Sequence, residues 1–478
     1  MGIELQRRGV DFLIFLEKAD DIGGTWRDNS YPGCACDIPP AHLYSFSFEP
    51  KPDWTYMWSL QPEILDYLRG GVTEKHGLRR YIHFGARVER AHWDDAEYRW
   101  HVFTEDGREY VAQFLISGGA GALHIPSIPD FEGLADFEGG EAFHSAQWDH
   151  SVDLTGKKVA VIGTGASAIQ LVPEIVDKVG ALQLYQRTPP AWVLPRSNNP
   201  IPHWMRNAFG SVPPGTRAAL RTGIYWFQEA LGFAITKRPE LLVLGEKAGK
   251  WNIRHQVRDR ELRRRLTPTY QVGCKRVLFS NNYFRAIAKP HSELVTDRIA
   301  RITPPRGIVT EDGTERDVDV IVFATGFHVT DSYTYVGIKG PGGEDLVDRW
   351  NREGVQAHRG ITVADMPNLF FLLGPNTGLG HNSVVFMIES QIRYVGQAIG
   401  AVDRAGAQAL APTRSAQDAF NAELQDDLQD AVWSTGGCSS WYLDEHGKNR
   451  TLWSGMTWQY WLATRSLKRS EYRFSGVR

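Results

Sequence analysis

Cysteine is scarce: four in 478 residues, too few for a disulfide scaffold. Cys34 and Cys36 form a C-x-C pair, and no second pair elsewhere completes a zinc ligand set. Long apolar runs are missing too. None reaches the roughly 18 residues that a membrane-spanning helix needs, and Met1–Gly9 carries no apolar signal core. Neither sign of charge dominates, with 53 Lys and Arg against 56 Asp and Glu. That balance points away from nucleic acid and from membranes as partners. There is no solenoid repeat and no low-complexity tract. These absences leave a soluble cytoplasmic chain of two or three domains, long enough for substantial cores.

Two stretches, Val10–Glu17 and Lys157–Ile162, are short, apolar and β-branched, and read as buried parallel strands. Tyr110–Ser117 and Val318–Thr325 read as further strands running into small residues. Ala166–Val179 reads as a helix directly after its strand. This alternation predicts an α/β fold with two doubly wound, Rossmann-like dinucleotide-binding domains. Ile201–Leu266 breaks the pattern. Rich in Trp, Arg and Leu, it reads as a helical insertion entered through the Pro-rich stretch Pro189–Pro202. Gln417–Trp433 has the spacing of an amphipathic helix.

The clearest motif is a strand, then Gly163-Thr164-Gly165-Ala166-Ser167-Ala168, then a helix. Gly163 permits the tight turn, Gly165 lets a pyrophosphate approach the backbone, and Ala168 allows close helix–strand packing. The phosphates would sit on the helix N-terminus, where free N–H groups favour anions. The next strand ends in Arg187-Thr188, where an NAD site usually carries an acid. A cation there suits the 2′-phosphate of NADPH. The competing reading of Arg187 is a solvated surface side chain.

Val10–Glu17 looks like the second strand of another such unit, with Glu17 on the ribose hydroxyls of FAD. Such an acid lies about 20 residues beyond its glycine fingerprint. Only 16 residues precede Glu17, and they hold no G-x-G-x-x-G. Met1–Arg8 reads as the tail of the helix that should follow that loop. The expectation is an FAD domain lacking its first strand and phosphate loop.

Four segments resemble the type I Baeyer–Villiger monooxygenases, within the wider flavin-containing monooxygenases, from about residue 10 to about residue 461 of the chain. Gly23-Gly24-Thr25-Trp26 through Tyr31-Pro32-Gly33 to Asp37 is similar to the family's G-G-x-W-x-x-x-x-Y-P-G-x-x-x-D stretch. The resemblance lays Gly24, Thr25 and Trp26 along the flavin and puts Asp37 near its reacting end. Phe137, Gly140, His144 and Trp148-Asp149 resemble the fingerprint F-x-G-x-x-x-H-x-x-x-W-[PD], with one glycine too many between Phe137 and His144. The resemblance makes this a linker that couples domain movement to catalysis. Lys275-Arg276 matches the pair in which the Lys joins Arg187 and Thr188 on the 2′-phosphate and the Arg swings over the flavin. Ala324-Thr325-Gly326 matches the strand end that joins the two domains. The segment around Asn376 resembles the FAD segment that returns against the ring, and Trp433–Trp461 the C-terminal substrate loop.

The domain plan that follows has five stretches: 1–127 for the first part of the FAD domain, 128–200 for the first part of the NADPH domain with its fingerprint, 201–266 for the helical insertion, 267–328 for the rest of the NADPH domain, and 329–478 for the rest of the FAD domain with the substrate loop. The resemblance implies an enzyme using NADPH, FAD and O2 to insert one oxygen atom into a ketone through a C4a-peroxyflavin, giving an ester or lactone. It holds no metal. Arg276, always ionised, would stabilise the developing negative charge, and Asp37 would orient Arg276 through an ion pair. Three alternatives stay open: an N- or S-oxygenating relative acting on substrates such as sulfides, a flavin disulfide reductase using Cys34 and Cys36, and a non-catalytic remnant that binds NADP(H).

Overall fold

The computed structural model describes every residue except Asp11, Pro39, 120–122, Gly139, Thr330, Ser439, Glu445, Arg478 and the side chain of Ser332. Gly139 of the fingerprint therefore lies outside the described residues.

A five-stranded parallel sheet forms the centre of one half. Its order is Ser292–Val295, Ala181–Tyr185, Lys158–Ile162, Val320–Phe323 and Glu141–His144. The three inner strands are short and largely apolar because both of their faces are covered, whereas the edge strands Ser292–Val295 and Glu141–His144 are partly exposed. On one face, Val159, Val161, Leu182, Leu184 and Val322 meet Leu171 and Val172 of the helix Ala166–Ile175. On the other, Ala160, Ile321 and Phe323 meet Ile302 and Ile308, which belong to the antiparallel strands Ile299–Thr303 and Gly307–Thr310. Leu171 has no exposed surface, and truncating such a side chain to Ala costs about 2–5 kcal/mol. The helix stops at Ile175, four residues short of the apolar pattern, with Pro173 inside its last turn. Proline removes a helix N–H there.

The other half is built of smaller pieces. Phe15–Leu16 pairs in parallel with Ile82–His83, and Leu115–Ser117 in parallel with Leu369–Phe371. A four-stranded sheet runs in the order Gly337–Lys339, Val88–Asp94, Arg99–Thr104, Glu109–Ala112. Two expectations change here. The strand expected over Val10–Glu17 is confined to Phe15–Leu16, with Phe12 98% exposed. A parallel strand is buried by neighbours on both edges, and this one pairs along a single edge. The strand expected over Tyr110–Ser117 is two strands, because Glu109–Ala112 pairs with the antiparallel sheet and Leu115–Ser117 with a different partner.

The halves are joined by two segments that hydrogen-bond to each other. Pro126 bridges Phe327, Ser127 N–H donates to the Gly326 carbonyl (2.9 Å), and His328 N–H donates to that of Ile125 (2.9 Å). Thr325 Oγ1 also donates to the Ser127 carbonyl. Between residues 201 and 266 the chain is helical, with helices His203–Ser211, Pro214–Lys237, Val243–Gln256 and Arg260–Leu266. No helix among the described residues is long and apolar enough to cross a membrane.

Candidate active site

Gly163 ends its strand at φ +109°. A Cβ there would press on the Ala324 carbonyl, 2.9 Å from its carbon, so the glycine loop and the strand end Ala324-Thr325-Gly326 are in direct contact. Gly165, the N-cap of the helix Ala166–Ile175, has open space beyond its Cα, as does Gly24 at φ +49°. That is the space a ligand approaching the backbone requires. Thr164 Oγ1 lies 3.5 Å from the Thr188 carbonyl, and Lys275 Nζ lies 3.4 Å from Thr188 Oγ1. Burial, together with the charge of Arg187, pushes the Lys275 ammonium below its usual range. Two cations facing each other beside a hydroxyl fit a dianionic phosphate.

Asp37 sits at the meeting point of the two halves. Its Oδ1 accepts from Gln170 Nε2 at 3.0 Å. The same Gln170 side chain donates to the Ala35 carbonyl (3.0 Å) and accepts from Tyr31 Oη (2.8 Å) and Ala35 N–H (3.2 Å). Gln170 therefore locks the whole Tyr31–Asp37 stretch onto the glycine-loop helix. Gly33 makes the contact possible, since a Cβ there would lie 2.7 Å from the Gln170 carbonyl oxygen.

The ion-pair partner of Asp37 differs from the expected one. It is Arg196, with N–O 3.6 Å and both side chains about nine-tenths buried. Arg196 also stacks over Trp58, 4.5 Å from the ring centroid, and one of its terminal nitrogens makes no hydrogen bond. Burial lowers its pKa while Asp37 opposes that shift. Arg276 makes no direct ion pair with Asp37 among the described residues. Burial pulls its pKa down, but the field of Asp37, with Tyr442 and others, leaves it raised. The reason is topological. Val193–Leu194 pairs with Leu278–Phe279, so Arg196 follows this strand pair and Arg276 precedes it.

The fingerprint is more than a linker: Glu141–His144 is the edge strand of the five-stranded sheet, with His144 opposite Phe323. Gly140 is needed where it stands, because a Cβ would meet the Phe137 ring and the Asp319 carbonyl, both at 2.7 Å. His144 is fully buried, its Nδ1 accepts from Ala146 N–H (3.1 Å), and its ring meets Phe327 edge-on at 5.4 Å. Burial pushes the His144 imidazole down to about 4. Trp148 packs edge-on against Phe143 at 5.1 Å.

At the start of the stretch that ends at Asp37, Trp26 Nε1 donates to Tyr44 Oη (3.2 Å), and Thr25 begins the short helix Thr25–Asp28. Glu17 accepts from Ala19 N–H (2.9 Å) and from Arg27 (3.2 Å). Its partners Ala19 and Arg27 help to line a cavity of about 730 Å³, together with Lys18, Arg87 and Gln147. Asn376 is buried, and its Nδ2 holds the carbonyls of Asn449 (2.8 Å) and Leu452 (3.1 Å), so its amide N–H groups serve the C-terminal segment. Cys34 and Cys36 are unpaired and buried, with their thiols pushed up to about 12 by burial. They form no redox pair. The other two cysteines are bonded: Cys274, directly before Lys275-Arg276, is joined to Cys438. The scarcity of cysteine hid this single bond between residues 164 positions apart.

The sequence reading missed Gln170 and Arg196. Gln170 had a signal: it is the polar residue in the otherwise apolar run Ala168–Val172 of a helix packed on a sheet. Arg196 had none, since Pro-Arg-Ser in a proline-rich stretch reads as surface.

A glycine loop opening a helix, two cations beside Thr188, and a Trp- and Asp-bearing stretch docked against that helix fit a flavin- and NADP-dependent monooxygenase, the class to which its relatives belong. Residues 9–205 match the family model described as flavin-binding monooxygenase-like. The chain is 44% identical over 476 residues to a Baeyer–Villiger monooxygenase of Pseudomonas aeruginosa, covering 99% of this chain and 89% of that protein. It is 43% identical, with the same coverage, to one of Streptomyces coelicolor. Among solved structures it resembles cyclohexanone monooxygenase from Rhodococcus sp. Phi1 bound to NADP+ (TM-score 0.85, 28% identity, 99% and 96% of the two chains covered). It likewise resembles oxidised steroid monooxygenase bound to NADP (TM-score 0.85, 29% identity, 99% and 97% covered). The chain belongs to the Baeyer–Villiger monooxygenases. Its cofactors are FAD and NADPH, and its reaction inserts one atom of O2 into a ketone to give an ester or lactone.

Proposed function

We propose that this reaction is centred on Arg276, that Asp37 sets the field around it, and that Gln170 and Arg196 fix Asp37 from two sides. The observation that carries the reading is the 3.0 Å contact between Gln170 and Asp37, which ties the carboxylate to the NADP-binding helix. The flavin, when bound, accepts hydride from NADPH and activates O2. The chain's own residues do the rest. Gly163, Gly165 and the N-terminus of the helix through Ala166 and Ser167 receive the NADPH pyrophosphate, while Arg187, Thr188 and Lys275 receive the 2′-phosphate. Gly24, Thr25 and Trp26 line the flavin, and Glu17 meets its ribose. Arg276 holds a permanent positive charge where negative charge develops on the ketone oxygen. Neutral His144 transmits the position of the Ala324–Gly326 crossing and transfers no proton.

The cyclohexanone and steroid enzymes that the chain resembles support a cyclic, apolar ketone as the substrate. Dependence on NADPH fits a cytoplasmic setting. The test is Arg276→Ala in the flavin-loaded protein, offered a cyclic ketone and an aryl sulfide. The expected result is NADPH oxidation that continues while lactone formation falls at least ~100-fold, the scale of losing one transition-state contact. Undiminished lactone formation would overturn the role of Arg276. Sulfoxide without lactone from the unmutated protein would overturn the choice of ketone.

A further inference from the structure

The helix Pro214–Lys237 is amphipathic in the reverse sense. Its buried positions are Gln228, Glu229, Gly232 and Thr236, while Leu220, Trp226, Phe227, Leu231 and Phe233 are exposed. Phe227 is 64% exposed and Trp226 53%. A helix that packs on a core buries its apolar stripe and exposes its polar one. Here the most buried positions are polar and pinned by specific bonds, with Tyr225 against Phe386 and Ile235 against the core packed beside them. Glu229 accepts from Asn382 Nδ2 (2.6 Å), Thr457 Oγ1 (2.7 Å) and Thr457 N–H (3.0 Å), with His381 Nε2 at 3.4 Å. Gly232 admits the His381 ring, since a Cβ there would lie 2.6 Å from its Cγ. Arg221 donates to the Ser45 carbonyl at 2.6 Å. With its orientation fixed, the helix turns its apolar side outward. The turn Pro239–Leu242 packs back on the helix, and Leu244 just beyond it is 70% exposed.

This outward face does not stand alone. Of 21 exposed large hydrophobic residues among those described, 10 lie within residues 201–266. The same stretch holds 13 Lys and Arg against 5 Asp and Glu, a net charge of +8, in a chain whose total is −3. The rest of the chain therefore carries −11. The near-neutral total that argued against an anionic membrane conceals a strongly basic insertion.

We propose that the helical insertion docks on an anionic lipid surface, with Leu220, Phe227 and Leu231 entering the headgroup layer and Trp226 at its boundary. Exposed Trp, Phe and Leu beside a surplus of Lys and Arg are the composition of a segment that lies in a membrane interface. No described helix crosses a bilayer, so the contact is peripheral. A second copy of this chain suits the face less well, because it would bring two +8 insertions together.

The test is sedimentation of the full-length chain with sucrose-loaded vesicles. One set is an equimolar mixture of phosphatidylglycerol and phosphatidylcholine, the other phosphatidylcholine alone. The expected result at 0.1 M salt is binding to the anionic vesicles about tenfold or more above binding to the neutral ones, since several Lys and Arg act together. The double variant Phe227→Ser/Leu231→Ser, its circular dichroism unchanged, loses about tenfold or more of that binding. Quenching of tryptophan emission in the unmutated protein by brominated lipids gives a readout that needs no variant. A protein that stays in the supernatant with anionic vesicles, or emission that the brominated lipid leaves unchanged, overturns the proposal. Binding that the double variant retains overturns it as well. So does a dimer in light scattering that the double variant dissolves, which assigns the face to a second copy.

Discussion

Gly163 and Ala324 touch so closely that no side chain fits between them. The first follows the strand Lys158–Ile162 at the glycine loop, and the second follows the strand that leads to the crossing between halves. Gly163→Ala combines this clash with a backbone at φ +109°. Such strain costs about 1–3 kcal/mol before any clash is counted. The expected outcome is a lower Tm and a weakened Kd for NADPH, both measured on the flavin-loaded protein. An unchanged Kd would mean that the loop does not hold the nucleotide.

Arg187 is exposed and makes no ion pair among the described residues, so replacing it should spare the fold. One charge-assisted hydrogen bond is worth about 1.5–3 kcal/mol. Arg187→Ala is therefore expected to raise the KM for NADPH by roughly ten- to a hundredfold while leaving that for NADH unchanged. Steady-state kinetics with both nucleotides decides it, and an equal rise for both would assign Arg187 to general binding.

Gln170→Leu removes four hydrogen bonds at once, taking its acceptor from Tyr31 Oη and leaving Asp37 with Arg196 alone. The expected outcome is a destabilisation of about 1–3 kcal/mol per buried group left unpaired, with Gln170→Glu restoring the bond from Tyr31 but not the one to Asp37. The diagnostic readout is coupling. Lactone formed per NADPH consumed should fall in both variants, whereas a merely structural role would lower Tm and leave coupling intact.

His144 predicts how stability depends on pH. Its folded pKa of about 4 lies below the ordinary 6.5. The unfolded chain therefore binds the proton that the folded chain refuses, and stability falls as pH drops from 6.5 towards 4. A shift of this size corresponds to about 3 kcal/mol. His358, also buried and pushed down to about 4, acts in the same direction. Thermal melts at pH 5 and pH 7.5 should show His144→Asn losing less Tm on acidification than the unmutated protein.

The residues proposed to touch the cofactors are legible through their local spacing. Gly163, Gly165, Lys275 and the Trp26–Asp37 stretch each have a chemical task that allows few residue types, and their spacing survives in one dimension. What stayed hidden depends on pairs far apart in the chain. Arg196 finds Asp37 across 159 positions, and nothing in the proline-rich stretch marks it as buried. The stretch Ile201–Leu266 was legible as helical, yet the facing of its helix Pro214–Lys237 follows from Asn382 and Thr457 gripping Glu229. Tyr110–Ser117 looked like one strand because periodicity cannot tell which sheet each end will join.

The bond between Cys274 and Cys438 works as a leash. It closes a ring that contains the Ala324–Gly326 crossing and most of the second half, and it holds the loop after Val432–Thr435 within 6.1 Å, Cα to Cα, of the segment that begins Lys275-Arg276. While the ring is closed, that loop cannot travel without hauling Arg276 along with it. A thiol reductant would remove this cross-link and leave the loop tied to Arg276 only through the chain and its packing.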